Sequence, residues 1–397
     1  MIVTDVLERL NKGLDANSVL IGMLILANLI ANTVSMIIKI PNIFAIIVTL
    51  IAVVSIIKTG IRISYRLFFL ILIILSQFII SFLLINSSMT NNFFVSFISI
   101  AIPSMIVASK PFCTFKVIET IQIIALFCSP YMIKILVTEY SIYDSGMLMG
   151  IGYAILPVII SSIIILFESK RNKLKIIALI NLILSVSIST KLISRGFFIS
   201  ILLFIILFTF YKVRNKPSNI LIVFIIMLLF FIIYIIFFRD FVVDSKWYYS
   251  LFKLKSEDFL NGRLYDYQNI MKSRSFFNIL FGSGIGSYYT NYGYKYIHNI
   301  IGMIYYEQGV FLLLIIVGIL GFSVFKFFTS KVNETRILIL VLITTSVIRL
   351  MVSYYFWIDQ IFWIYISTML SYKYLNQHNL VREDNCYDKS VSCNTNV

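Results

Sequence analysis

The sequence predicts an all-α polytopic membrane protein with about twelve transmembrane helices and one long outer loop. Three observations predict this class. Of the 397 residues, 60% are hydrophobic and only 13% are charged, whereas a soluble domain of this length needs far more charge to cover its surface. The apolar residues form runs close to the length of about 20 that crosses a bilayer as a helix. Lysines and arginines concentrate in alternate loops.

The apolar runs divide the chain into membrane spans and connections. The polar N-terminus is followed by a run too long for a signal-peptide core and without a cleavage site, so we expect an uncleaved first span. This division predicts an N-terminal transmembrane bundle over 1–238, a long loop over 239–297, further spans within 298–372 and a polar tail over 373–397. The predicted spans are 18–38, 42–57, 67–85, 92–109, 117–137, 145–167, 176–190, 193–211, 220–238, 297–325, 337–352 and 354–372.

The distribution of positive charge predicts the orientation of the spans. The short outer loops hold only Lys39, Lys191 and Arg195, whereas inner segments hold clusters such as the Lys/Arg-rich stretch 170–175. Under the positive-inside rule, both termini are cytoplasmic and the loop 239–297 is periplasmic. The same asymmetry accounts for most of the net charge of +15, so we expect no nucleic-acid partner. The four cysteines form no CxxC pair and only two histidines are present, which predicts neither a metal site nor a disulfide framework.

Two arginines on the outer face are candidate anion-binding residues. Arg195 begins a span, where a guanidinium must snorkel, pair or bind an anion. Arg263 lies in the long loop, where it could hold phosphate oxygens in a bidentate manner. Both also have a structural interpretation, as an interfacial arginine and a solvated arginine respectively. Arg274 and Lys272 are weaker candidates of the same kind.

A glycine-rich stretch, Phe-Gly-Ser-Gly-Ile-Gly at 281–286, interrupts the long loop. It does not fit a dinucleotide-binding fingerprint, because Ser287 stands where the third glycine belongs and no βαβ pattern surrounds it. The glycines instead predict a tight turn, or a close approach of backbone amides to an anion or a sugar. Gly284 is therefore a supporting candidate.

His298 stands at the outer entry of a span and is the candidate for proton transfer. It can accept a proton from a hydroxyl group or orient one, although an interfacial histidine also serves as a structural hydrogen-bonding group. Asn299 could orient its ring or contact substrate. Glu307 lies further into the same span and needs a partner there. Arg349 is one candidate for that partner, but Arg349 could also form a structural pair with Asp359.

Together these motifs resemble the O-antigen polymerase and O-antigen ligase superfamily of bacterial envelope proteins. Their order, spacing and topology are similar over about 176–321. The chain departs from some polymerases of this superfamily in one respect. The Arg-x10-Gly repeats described for them do not start at Arg195, Arg263 or Arg274. The resemblance is carried by Ser194-Arg195-Gly196 at the start of a span, Gly262-Arg263 in a long outer loop, the glycine-rich stretch 281–286, His298-Asn299 and Glu307-Gln308-Gly309.

The resemblance implies a glycosyltransferase of the bacterial inner membrane that uses an undecaprenyl-diphosphate-linked oligosaccharide, with no metal or other cofactor. In that scheme Arg195 and Arg263 bind the diphosphate, and His298 is the catalytic residue that positions or deprotonates the attacking hydroxyl. Asn299, Glu307, Gly284 and Arg349 would support the site. A chain-length regulator protein is a further expected partner, beside the lipid bilayer itself.

Three functions stay open at this point. A polymerase extends the lipid-linked glycan, a ligase moves it to the lipid A core, and a flippase or exporter would only transport it. We favour the polymerase over the ligase because the chain has no evident feature dedicated to a core acceptor. Transporters place broken helices near the middle of the membrane and gating loops at both faces. The concentration of unusual residues at one face therefore favours an enzyme.

Overall fold

A computed structural model describes residues 15–85, 87–138, 145–189, 192, 195–215, 270, 274–293, 299–330, 332–352 and 356–371. Every regular element in these ranges is helical, and none of the described residues lies in a strand. The all-α prediction is therefore confirmed for this part of the chain. The predicted span 220–238, most of the loop 239–297 and the tail after 371 lie outside the described residues.

The helices follow the predicted apolar runs in order, with shifted ends and several interruptions. Two of them contain a turn of π-helix, at Phe97–Ala101 and Ile343–Val347. A short 3-10 turn, Phe356–Ile358, precedes the last helix. The helices are α1 Asp15–Ile25, α2 Ala27–Ser35, α3 Ile43–Thr59, α4 Tyr65–Leu84, α5 Ser88–Ala108, α6 Thr114–Phe127, α7 Ser129–Val137, α8 Ser145–Glu168, α9 Asn172–Ser189, α10 Arg195–Asn215, α11 Phe276–Phe281, α12 Ser287–Tyr292, α13 Ile300–Thr329, α14 Asn333–Leu342 continued to Ile348–Val352, and α15 Gln360–Leu370.

The number of membrane-crossing helices in the described residues is smaller than predicted. Five helices are long and apolar enough to cross a membrane, or up to seven if each of two bent pairs forms one span. The apolar helices 43–59, 196–212 and 360–370 are shorter. Several helices thus suit a membrane by length and composition, as predicted, but the count of about twelve is not confirmed.

Breaks inside the apolar runs explain much of the difference. The run 18–38 is divided into α1 and α2, which meet at an angle of 63°, and the run 117–137 into α6 and α7, which meet at 54°. Pro130 follows the second break, where its missing N–H cannot continue the helical ladder. At the first break, the carbonyl of Ile25 accepts a hydrogen bond of 3.4 Å from the side chain of Gln360. Hydropathy does not register either bend.

The core of the bundle contains a cluster of large aromatic rings at the point where α4, α5 and α15 meet. The ring of Trp357 lies 5.0 Å from that of Phe78 and 5.9 Å from that of Phe97. Trp363, on α15, lies 5.7 Å from Phe97. All four side chains are buried. Rings at these separations contribute packing beyond their buried area, so this cluster fixes the position of α4 against the last helix.

Candidate functional site

The helix α13 is broken at Gly309, near the end at which the sequence predicts the site. Gly309 has φ +81° and ψ 179°, an extended conformation inside an otherwise helical segment. In an uninterrupted helix, the carbonyls of residues 305 to 308 would accept hydrogen bonds from the N–H groups four residues later. The break exposes these carbonyls, which are costly to leave unpaired in an apolar environment.

The glycine-rich stretch supplies partners for these carbonyls. The N–H of Ser283 donates to the carbonyl of Tyr306 at 2.9 Å, and the N–H of Gly284 donates to that of Glu307 at 2.9 Å. On the other side, the side-chain amide of Gln77, on α4, donates to the carbonyl of Gln308 at 3.2 Å. The stretch 282–286 is therefore docked into the break in α13, and we call this unit the loop–helix junction.

Arg274 completes the junction. Its guanidinium donates to the carbonyls of Tyr306 at 2.7 Å and Asn278 at 2.9 Å, and to the hydroxyl of Ser283 at 2.9 Å. The same group lies 5.2 Å from the ring centre of Tyr305 and 4.7 Å from that of Tyr306. One nitrogen, Nη2, makes these three hydrogen bonds, and the other terminal nitrogen, Nη1, donates to the carbonyl of Tyr305 at 3.4 Å, so the planar guanidinium bridges two consecutive carbonyls of α13. Arg274 thus holds the N-terminal half of α13 against α11.

Two contacts fix the other edge of the stretch 282–286. The N–H of Ile285 donates to the hydroxyl of Ser81 on α4 at 2.8 Å, and the carbonyl of Ile285 accepts from the hydroxyl of Thr90 on α5 at 2.8 Å. The N–H of Gly284 is bonded to α13, as described above. These backbone amides are hydrogen-bonded within the protein, so the glycines form the tight turn that was one of the two predicted alternatives.

Glu307 is buried in the junction, with a relative exposure of 2%. Its Oε1 accepts a hydrogen bond of 3.1 Å from the N–H of Gly286. Its Oε2 has no hydrogen-bond partner among the described residues, and none of these residues forms an ion pair with it. Arg349, the predicted candidate partner, pairs elsewhere. A buried carboxylate without an ion-pair partner is costly in an apolar bundle, so the junction is a candidate functional site.

More polar groups lie beside this carboxylate. Gln308 is fully buried, and neither atom of its side-chain amide has a hydrogen-bond partner among the described residues. The same holds for the side-chain oxygens of Gln77 and Ser287. Buried polar groups are normally satisfied, so each exception needs an explanation.

Arg349 forms a buried ion pair with Asp359. Its Nε donates to Asp359 Oδ2 at 2.9 Å, and a second nitrogen contacts the other carboxylate oxygen. The guanidinium also lies 5.2 Å from the ring centre of Tyr153 on α8. Asp359 additionally accepts from the N–H groups of Ile361 and Phe362 and so caps α15. The predicted structural pair is confirmed.

The start of α10 lies close to this ion pair. A Cβ on Gly152 of α8 would lie 3.6 Å from the ring of Phe197, so the two helices are in close contact there. Tyr153, the next residue, faces Arg349. Arg195 is the first residue of α10, two residues before Phe197, and its side chain lies outside the described residues. The backbone of Arg195 is therefore brought to the neighbourhood of Arg349.

The remaining predicted residues divide into one that is placed, Asn299, and three that lie outside the described residues, His298, Arg263 and Lys272. Asn299 caps α13, since its Oδ1 accepts from the N–H of Ile301 at 2.8 Å and of Gly302 at 3.4 Å. Of the other three, His298 directly precedes this cap in the chain. Sequence reasoning did not identify Gln77, and it named Gln308 only as part of the motif that carries the resemblance, although a glutamine within an apolar run is the available signal.

These residues lie in one region of the bundle. Gln77 contacts the backbone of Gln308, and the next residue, Phe78, packs on Trp357. Trp357 precedes Asp359 by two residues, so a short series of contacts and chain neighbours connects the junction to the Arg349–Asp359 pair. No group of three or more His, Cys, Asp or Glu side chains that could hold a metal ion occurs in the described part of the chain.

Fold and site together define a helical protein with membrane-length apolar helices and a broken helix whose polar junction is buried. No family model, curated protein or solved structure matches the chain.

Proposed function

We propose that the protein is a membrane glycosyltransferase that extends O-antigen or a related surface polysaccharide. It transfers the growing glycan from its undecaprenyl diphosphate carrier onto a lipid-linked repeat unit at the periplasmic face of the inner membrane. The proposal includes the topology predicted from the sequence, with about twelve spans and the long outer loop 239–297. It rests first on the resemblance of the motifs between 176 and 321.

One structural observation supports the proposal most directly. The start of α10, the Arg349–Asp359 pair and the junction in α13 lie in one region of the bundle, next to the cap at Asn299. Two of the positions that the reaction requires are connected to these elements along the chain: Arg195 begins α10, and His298 directly precedes Asn299. A single region that gathers these positions is what a donor and an acceptor site in contact require.

The chemistry follows from the residue types. The acceptor hydroxyl attacks the anomeric carbon of the donor glycan, a new C–O bond forms, and the bond to the diphosphate oxygen breaks. The leaving diphosphate gains negative charge, which Arg195 and Arg263 stabilise. His298 takes the proton of the attacking hydroxyl or orients that hydroxyl. No metal ion takes part in this scheme.

The test is complementation of a deletion strain, followed by gel analysis of its extracted lipopolysaccharide. The variants are Arg195→Ala, Arg263→Ala and His298→Ala. Matched controls are Arg171→Ala, an exposed arginine on an inner segment, and His378→Ala in the tail. We expect the deletion strain and the three site variants to show core with one repeat unit, while both controls give a full ladder at equal membrane abundance.

Other gel patterns point to other functions. Bare core in the deletion strain, with lipid-linked polymer accumulating, indicates a ligase. Full ladders from the three site variants contradict the assignment of these residues. A strain that accumulates lipid-linked repeat units on the cytoplasmic side only indicates transport across the membrane.

Transport of a lipid-linked oligosaccharide is the second candidate, and one observation favours it. The bends between α1 and α2 and between α6 and α7 interrupt predicted spans near their middles, and α13 is broken at Gly309. Transporters build substrate sites from such discontinuous helices. Cysteines introduced along α2 and α7 test this candidate, because a transporter changes their labelling from one membrane face to the other when substrate is added.

A further inference from the structure

Several buried side-chain oxygens at the loop–helix junction have no hydrogen-bond partner among the described residues. The residues that carry them are hydrogen-bonded to one another or are neighbours in the chain. Glu307 binds the N–H of Gly286, and the next residue, Ser287, has an unpartnered hydroxyl and is only 3% exposed. Gln308 follows Glu307 in the chain, and Gln77 is held at the backbone of Gln308 by the 3.2 Å hydrogen bond. Four side-chain oxygens without partners among the described residues are thus attached to one small unit.

The four unpartnered oxygens could all act as ligands of an ion. This donor set consists of one carboxylate oxygen, two amide oxygens and one hydroxyl, with no sulfur or imidazole. Oxygen-only sets suit hard cations and not zinc or copper. The backbone carbonyls of the broken helix are already bonded to Ser283, Gly284, Gln77 and Arg274, which leaves the side-chain oxygens as the available ligands.

Charge and space restrict the ligand further. Glu307 carries the one carboxylate in the set, and among the described residues it has no ion-pair partner. A buried charge in an apolar bundle needs compensation, and one positive charge balances one carboxylate. The exposures of 2% for Glu307 and 0% for Gln308 exclude a sugar or a lipid headgroup as the ligand and restrict it to a small ion.

We propose that the junction in α13 binds a monovalent alkali cation, of the size of sodium, through Glu307 Oε2, Ser287 Oγ and the side-chain amide oxygens of Gln308 and Gln77. The ion would join the N-terminal half of α13 to α4 and α12, and so hold the broken helix in its bent form. The proposal is independent of the glycosyltransferase reaction. A bound ion at a helix break is consistent with either an enzyme or a transporter.

The test is thermal unfolding of the full-length protein, purified in detergent, against increasing sodium chloride. Choline chloride keeps the ionic strength constant. We expect a saturable rise of the unfolding midpoint with sodium, of about 2 °C at a sodium concentration ten times the dissociation constant. Choline alone should give no saturable rise.

Variants assign the effect to the site. Ser287→Ala and Glu307→Gln should weaken sodium affinity at least about tenfold. Ser185→Ala is the matched control, because its hydroxyl is also buried and unpartnered but belongs to α9. This control should keep the wild-type response. Ser287→Ala decides the question if Glu307→Gln does not fold.

Two results would overturn the proposal. The first is a midpoint that does not respond to sodium, or that responds equally in Ser287→Ala and wild type. The second is a Glu307→Gln variant that folds and keeps the wild-type response to sodium, since the carboxylate is then not a ligand of the ion.

Discussion

Gly282 and Gly309 meet backbone to backbone at the loop–helix junction. A Cβ added to Gly309 would lie closer than 3.0 Å to the backbone nitrogen of Gly282 and to the carbonyl of Leu280. A Cβ added to Gly282 would lie equally close to the backbone of Glu307 and Gln308. Both glycines have a positive φ, +84° and +81°. The junction therefore depends on two residues without side chains.

Gly309→Ala is expected to destabilise the protein strongly. The positive φ alone costs about 1–3 kcal/mol for a residue with a side chain, and the new methyl group would overlap backbone atoms that cannot rotate away. Gly318→Ala is the matched control in the same helix, because a Cβ there meets nothing within 4 Å and alanine favours a helix. Thermal unfolding in detergent checks both. An unchanged midpoint for Gly309→Ala would contradict the junction.

The positions of the helices could be predicted because long apolar runs impose them. The breaks could not. Gly309 lies inside an apolar run, and hydropathy carries no information about its backbone angles or about the loop that fills the gap. Cys128 and Pro130 gave a weak signal for the bend between α6 and α7.

The site was predicted in part, for a similar reason. The pair of Arg349 and Asp359 could be foreseen because two opposite charges in nearby apolar segments need each other. Arg274 was rated a weak anion-binding candidate, since its neighbours in the chain are polar. Its partners at Tyr305 and Tyr306 are more than 30 residues away, and only the fold brings them together.

Arg274→Lys is expected to lower stability nearly as much as Arg274→Ala. A lysine keeps the charge, but its single nitrogen cannot contact the carbonyls of both Tyr305 and Tyr306 as Nη1 and Nη2 do. It also lacks the planar group that lies over the two tyrosine rings. Losing the bonds to buried carbonyls should cost about 1–3 kcal/mol. The control is Arg171→Lys, whose 3.1 Å pair with Glu119 is exposed and contributes little. Thermal unfolding separates them: if Arg274→Lys matches wild type, charge alone holds the junction.

The ion pair of Arg349 and Asp359 allows structural and functional roles to be separated. Arg349→Met should leave a buried carboxylate unpaired and cost about 3–5 kcal/mol. Adding Asp359→Asn removes that charge while an amide oxygen still caps α15, so the double variant should regain most of the stability and membrane abundance. Unfolding midpoints test the stability. The lipopolysaccharide ladder then reports function: an abundant double variant without a ladder assigns the Arg349–Asp359 pair to the site, and a full ladder restricts the pair to a structural role.

Lys110 is expected to make the stability of the protein depend on pH. This side chain, between α5 and α6, is 2% exposed and donates to the hydroxyls of Ser55 and Thr59 at 2.9 and 2.8 Å. Burial, with a smaller contribution from Arg62, lowers the pKa of Lys110 to about 8. The unfolded chain keeps the proton up to the ordinary pKa of 10.5. Between these values the unfolded state binds more protons, so stability rises with pH.

The measurement is the unfolding midpoint of wild type and of Lys110→Met from pH 7 to 10. Groups that titrate elsewhere affect both proteins alike, so the difference between their curves isolates Lys110. We expect wild type to gain stability relative to the variant as the pH passes 8, because the folded protein then no longer holds a charged ammonium group away from water. Lys58→Met, an exposed lysine on α3, leaves the buried amine in place and should keep the wild-type slope. A difference curve that is flat, or that falls with pH, would mean that the hydrogen bonds to Ser55 and Thr59, including one to the carbonyl of Ser55 at 3.1 Å, stabilise the ammonium at least as much as burial destabilises it.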